Sequence, residues 1–111
     1  MTHDRAARIA ANEAVFRLVN ERIEELNAAF ARVTDTFAVV CECGNRLCDQ
    51  QIEVETATYE RVRGDSALFV VVPGHEIPDV EDVVEHHRGF HIVRKQGLPG
   101  EAIAEAMDPR R

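Results

Sequence analysis

The fold of this chain turns on the stretch Phe37-Ala38-Val39-Val40-Cys41-Glu42-Cys43-Gly44-Asn45-Arg46-Leu47-Cys48 and the Gln51-Ile52-Glu53-Val54-Glu55 that follows it. Residues 37–43 cluster aromatic and β-branched side chains and predict a strand. Gly44-Asn45-Arg46 is turn chemistry. Residues 51–55 alternate strictly, with Ile52 and Val54 on one face and the acids on the other. The second strand therefore returns antiparallel to the first with its outer face in water, and the cysteines fall at a hairpin tip.

Three cysteines within eight residues need a reason other than packing. Cys41 and Cys43 sit two apart on a strand and project from the same face, and a turn at Gly44 brings Cys48 back toward them. Thiolates that converge in this way suit zinc, which takes four tetrahedral donors from Cys and His in structural sites. The fourth donor must come from elsewhere, and His75 is the best candidate. It lies in Pro73-Gly74-His75-Glu76, just past the apolar run Ala67-Leu68-Phe69-Val70-Val71-Val72, which reads as a strand covered on both faces. His86, His87 and His91 are rival donors on an expected last hairpin, where His87 and His91 share a face, but three histidines beside Arg88 suit solvent better. Two other readings stay open for the cysteines: small buried hydrophobes, or a redox pair in which Cys48 partners either Cys41 or Cys43.

Ahead of the hairpin, residues 4–33 contain neither Gly nor Pro. Ile9, Phe16, Ile23 and Phe30 recur every seven residues, interleaved with Asn12, Val19, Leu26 and Val33, which predicts a long amphipathic helix. Glu13, Arg17 and Glu21 are spaced to pair along its surface. A rod of about 45 Å exceeds what the remaining residues cover, and two readings compete: its C-terminal half packs on the chain's own sheet, or its heptad face pairs with a second copy. Ile9, Phe16, Val19, Ile23 and Leu26 are expected to meet a partner protein or a second copy, making a homodimer. After the hairpin, Thr56 is placed as N-cap of a short helix to about Arg63, with Tyr59 and Val62 toward the core and Gly64 as its stop. Residues 80–86 and 90–95 predict a hairpin closed at Arg88-Gly89, with an acidic helix over 79–87 as the alternative. A short helix over 100–107 ends the pattern.

Composition bounds the function. The chain has 111 residues, 45% hydrophobic and 30% charged, which predicts one domain over residues 1–111, with a body over 37–95. Aromatics are 5% with no Trp, so a staple would help so small a core. The net charge of -7 disfavours nucleic acid and anionic lipid, whose phosphates need Lys and Arg. Residues 4–32 are neutral, so the rest carries the whole excess, and Glu76 to Glu85 hold five acids that suit a solvated surface better than a basic partner. No stretch reads as a signal peptide or a membrane span, and a cytoplasmic location is expected. Phosphate loops, Ser/His/Asp triads and the His-Glu-x-x-His and deaminase zinc patterns are missing, so no enzyme is expected.

Four segments together, Arg8-Ile9-Ala10-Ala11-Asn12-Glu13, the Cys41-Glu42-Cys43-Gly44 knuckle with Cys48, Tyr59-Glu60-Arg61-Val62-Arg63, and Pro73-Gly74-His75-Glu76-Ile77-Pro78, resemble a group of short, uncharacterised bacterial proteins that carry similar segments in the same order. The resemblance implies that helix, knuckle and Pro-Gly-His turn form one module, and it brings no activity with it.

The sequence thus predicts an α+β fold, a long N-terminal helix followed by a small, mainly antiparallel sheet whose first hairpin carries a zinc site of Cys41, Cys43, Cys48 and His75. The expected function is a non-enzymatic, zinc-stabilised protein-interaction or regulatory module. A thiol-based redox or metal sensor is the alternative, and a nucleic-acid-binding zinc protein comes third.

Overall fold

Twenty-eight residues without Gly or Pro form helix α1 (His3–Phe30), about 42 Å long at 1.5 Å per residue, in a molecule measuring 45 × 28 × 23 Å. The computed structural model describes residues 3–30, 35–97 and 99–110, and among these the side chains of His3 and of residues 27–30 are left aside. The expected helical turn to Val33 and the Phe30 side chain therefore lie outside the described residues.

The quoted hairpin forms as its alternation demands. Strand β1 (Thr36–Val40) pairs antiparallel with β2 (Gln51–Glu55), and the register sets Phe37 opposite Val54 and Val39 opposite Ile52. Those four side chains are buried while Ala38, Glu53 and Glu55 face solvent. The first strand ends sooner than predicted, because Glu42 leaves β2 and donates its N–H to the Val70 carbonyl at 2.7 Å. Val70 belongs to β3 (Leu68–Val71), which is buried at every position. The segment 41–43 thus stitches the two-stranded sheet to a second, three-stranded one.

That second sheet has the order β3-β5-β4, all antiparallel, with β4 (Glu81–His87) and β5 (Phe90–Lys95) as the predicted hairpin rather than the acidic helix. Helix α2 (Thr56–Arg63) buries Tyr59 and Val62 as read, and Tyr59 meets Phe37 edge-to-face at 5.3 Å. Thr56 is its first residue rather than its cap; Glu55 holds the cap position without a side-chain bond, and Gly64 ends the helix in a right-handed conformation. Helix α3 (Gly100–Ala106) closes the fold. Both sheets and α2 share one core, into which Cys41 and Cys43 are also buried. No helix among the described residues is long and apolar enough to cross a membrane.

The side of α1 that packs on the chain differs from the heptad face. Its buried side is Ala6, Ile9, Ala10, Glu13, Ala14, Arg17, Asn20 and Glu21, while Val15, Leu18, Val19 and Leu26 are 42–63% exposed. Small alanines let the helix approach closely, and its charged side chains reach distant parts of the chain. Glu13 lies 2.7 Å from Lys95, both fully buried, with Glu81 beside them. Arg17 donates to the carbonyls of Ser66 at 2.7 Å and Ala104 at 2.6 Å and lies over the Phe69 ring. The expected surface pairing of Glu13, Arg17 and Glu21 therefore gives way to interior contacts. Ile9 also finds cover within the chain, packing in a cluster with Ala6, Val80 and Ile77. Phe16 and Ile23 are half-buried, and of the expected partner-facing set only Val19 and Leu26 lie exposed.

The acidic run is likewise engaged. Glu76 pairs with His91, Asp79 with Arg5, Glu85 with Arg61 and His87, and Glu81 lies buried near Lys95.

Candidate metal centre

Three elements deliver four donors to one point. The end of β1 supplies Cys41 and Cys43, the hairpin tip supplies Cys48, and the turn after β3 supplies His75. That turn depends on Gly74, whose φ of 93° is left-handed, and it is closed by the His75 N–H donating to the Val72 carbonyl at 2.9 Å. The tip is held by its own backbone: Cys48 N–H donates to the Asn45 carbonyl at 2.9 Å, and the Asn45 side chain accepts from Leu47 N–H at 3.0 Å. Gly44 serves differently from the expected sharp turn, since a Cβ there would meet Ile9 Cγ2 at 2.7 Å and Ile77 Cδ1 at 3.0 Å. It is a close-approach glycine, and Asn12 Nδ2 donates to its carbonyl at 3.0 Å.

The donor atoms of Cys41, Cys43, Cys48 and His75 all lie within 4.8 Å of one another. His75 Nδ1 is 3.5 Å from Cys41 Sγ and 3.6 Å from Cys48 Sγ. Metal–sulfur bonds of about 2.3 Å and metal–nitrogen bonds of about 2.0–2.1 Å, set at the tetrahedral angle, separate sulfur from nitrogen by about 3.5–3.6 Å. The two measured separations match that edge length. Two edges of the cluster thus have the length a tetrahedral site needs, with Nδ1 as the histidine donor, and the four donors are close enough to hold a metal ion. Cys41 and Cys43 are buried, Cys48 and His75 half-buried, and none of the three cysteines is in a disulfide. A hollow of about 310 Å³ bordered by Cys43, Asn45, His75 and Glu76 connects the cluster to solvent.

The thiols perturb one another strongly. A hydrogen bond from Cys41, opposed by burial and helped by the Asn45 backbone, brings the Cys43 thiol down to about 5. The same Cys43 contact and burial raise Cys41, and burial raises Cys48. Three sulfurs this close cannot all shed protons unless a cation joins them, which is the electrostatic situation of a metal site. Val72 N–H donates to Cys41 Sγ at 3.2 Å, a contact that favours thiolate.

The support behind the ligands was not foreseen. Glu42, between two ligands, turns its side chain to the opposite face and is fully buried. Its carboxylate accepts from Val70 N–H at 3.0 Å, Arg63 Nη2 at 3.0 Å and Asn20 Nδ2 at 2.8 Å. Asn20, on α1, also donates to the Val40 carbonyl and accepts from Val40 N–H. A carboxylate placed between two buried cysteines of an apolar strand was the available signal, because such a group must find buried donors.

The rival histidines are occupied elsewhere. His91 Nδ1 contacts Glu76 at 3.1 Å and stacks edge-on against His86 rather than sharing a face with His87, which stacks on Phe90. Compared with protein-family models, curated proteins and solved structures, the chain matches none. What defines it is the site: an α+β protein with a Cys3His cluster spaced to hold a metal ion.

Proposed function

We propose that the chain is a non-enzymatic, zinc-stabilised interaction module, in which zinc at Cys41, Cys43, Cys48 and His75 locks hairpin, β3 and α1 into one binding body. The observation that carries this is the donor set itself: three sulfurs and one nitrogen, all within 4.8 Å of one another. They complete zinc's coordination and leave no position for water or substrate, as in structural sites. Thiolates and imidazole select zinc over oxygen-seeking calcium or magnesium. The test is elemental analysis of protein purified without added metal. One zinc per chain, lost with Cys43→Ser, supports the reading; three freely titrating thiols in a folded, metal-free chain would overturn it.

Cys48 is the least buried thiol, and this favours a redox sensor as the second reading. A closed site shields its sulfurs, so zinc should stay bound in mild peroxide; rapid release that a reductant reverses would favour the sensor. Self-association belongs to the proposal in a changed form. The face of α1 available to a second copy is Val15, Leu18, Val19 and Leu26. Sedimentation should give a dimer that Leu18→Glu converts to monomer, and a wild-type monomer at micromolar concentration rules the dimer out.

A further inference from the structure

Beside the candidate metal centre, the first turns of α1 and the knuckle loop 44–47 border an open groove of about 600 Å³. Arg5, Arg8 and Arg46 line it, and none of its lining residues is acidic. In a chain with a net charge of -7 this is a local reversal of sign. Arg5 forms an ion pair with Asp79 outside the groove, while Arg8 and Arg46 are exposed. Apolar side chains border the same groove: Ile77 and the edge of Ile9 line it, and Leu47 stands at its rim 85% exposed, the most exposed large hydrophobic side chain described.

We infer that this groove binds a short acidic peptide segment whose carboxylates alternate with aliphatic side chains. The inference rests on the zinc-stabilised interaction reading and names its partner. Guanidinium forks pair with carboxylates in bidentate fashion, and the apolar side chains that share the groove with them take aliphatic ones. Nucleic acid fits less well, because the groove has no aromatic platform on which bases could stack. The metal shapes the groove, since Cys43 and Cys48 bracket the loop that carries Arg46 and Leu47. Its backbone is preset by the Asn45 contacts, so a peptide meets an ordered wall.

The test is selection of a displayed random-peptide library on the zinc-loaded full chain, followed by titration of a selected peptide. The expected result is enrichment of Asp and Glu interspersed with Leu, Ile or Val. Affinity should fall at least about tenfold in an Arg8→Glu, Arg46→Glu double variant that keeps its zinc, and should weaken with salt. Selected peptides without acids, or acidic peptides that bind the double variant equally well, would overturn the inference. So would retention of a single-stranded oligonucleotide through the same arginines in place of peptide. Zinc analysis of the same samples keeps the two readings apart: arginine-dependent binding by a metal-free chain retains the groove and sinks the zinc module, while a zinc-loaded chain without acid selectivity does the reverse.

Discussion

Glu42→Ala is the sharpest probe of how the metal centre is built. Glu42 touches no metal donor site through its side chain, yet it sits between two of the cysteines and accepts three buried hydrogen bonds, from Val70 N–H, Arg63 and Asn20. The side chains of Arg63 and Glu42 are 1% and 0% exposed, so this is an interior ion pair. Removing one member of such a pair leaves the other charge buried without compensation, at a cost of about 3–5 kcal/mol. The Val70 N–H is orphaned as well, a penalty of about 1–3 kcal/mol already partly counted in that range. Against a total stability of about 5–15 kcal/mol for an ordinary domain, the loss is large. Because the backbone of Glu42 carries Cys41 and Cys43 on either side, metal affinity should fall too, by about 10–100-fold as for other groups that orient ligands.

The assay is urea unfolding of the zinc-loaded protein, paired with competition for zinc by a chromophoric chelator. Glu53→Ala, on the exposed face of the same hairpin, serves as control and should cost about 0.5 kcal/mol or less. Glu42→Gln should fall between the two, since its oxygen can still accept from Arg63 and Val70 while its amide N–H2 confronts the Asn20 donor. A Glu42→Ala variant within about 1 kcal/mol of wild type, with unchanged zinc affinity, would show that the carboxylate supports neither the fold nor the site.

Other perturbations test separate parts of the same construction. Lys95→Met leaves Glu13 and Glu81 buried without their cation. Both carboxyls already lie above the usual range, through burial first, so their contribution to stability is present in acid and lost as pH rises through the raised values. The variant should therefore lose about 3–5 kcal/mol at neutral pH and visibly less near pH 5, and a pH-independent loss in urea unfolding contradicts this. Gly44→Ala forces Ile9 Cγ2 away from 2.7 Å and should cost about 1–3 kcal/mol by thermal unfolding, whereas Gly64→Ala, at a right-handed glycine, should be far milder. His75→Ala should weaken zinc binding without abolishing it, because three sulfurs remain; if His91→Ala does so instead, the fourth ligand is misassigned. Chelation should release hydrogen-exchange protection at Cys41–Gln50 and β3 before the β4–β5 hairpin, and uniform release across both sheets would separate the metal from the fold's local stability.

How much of this could be read in the chain depends on how local the determining contacts are. The β1–β2 hairpin was legible because Ile52 and Val54 alternate with acids, and β3 because a continuous apolar run cannot face water. The clustering of Cys41, Cys43, Cys48 and His75 was legible for a related reason: an extended segment keeps Cys41 and Cys43 on one side, and Pro73-Gly74 ends a buried strand in the turn that carries His75. Helix α1 was legible as a helix but not in its orientation. A heptad count ranks residues by type, and the partners of Glu13 and Arg17 lie 82, 49 and 87 residues away at Lys95, Ser66 and Ala104. No local pattern shows that a charge has an interior partner. The clue that did exist was Ala6, Ala10 and Ala14, small residues four apart on the face that continues through Arg17 and Glu21.

The inverted helix and the cysteine cluster explain each other. Apolar burial alone is non-directional, and a helix of Val, Leu, Ile and Phe in mixed positions has several apolar faces it can present. Buried charges remove that freedom, because Glu13 must find Lys95 and Arg17 must find two particular carbonyls, or each pays a desolvation penalty it cannot recover. Asn20 then fixes the same helix to Val40 and Glu42, and Asn12 fixes it to Gly44, so α1 grips the knuckle on both sides of Cys41 and Cys43. A metal ion bound at the cluster would hold the knuckle's shape and, through these contacts, the position of α1. The exposed stripe of Val15, Leu18, Val19 and Leu26 lies on that helix, and the arginine-lined groove lies between the helix and the knuckle loop, so the geometry of both is tied to the cysteine cluster.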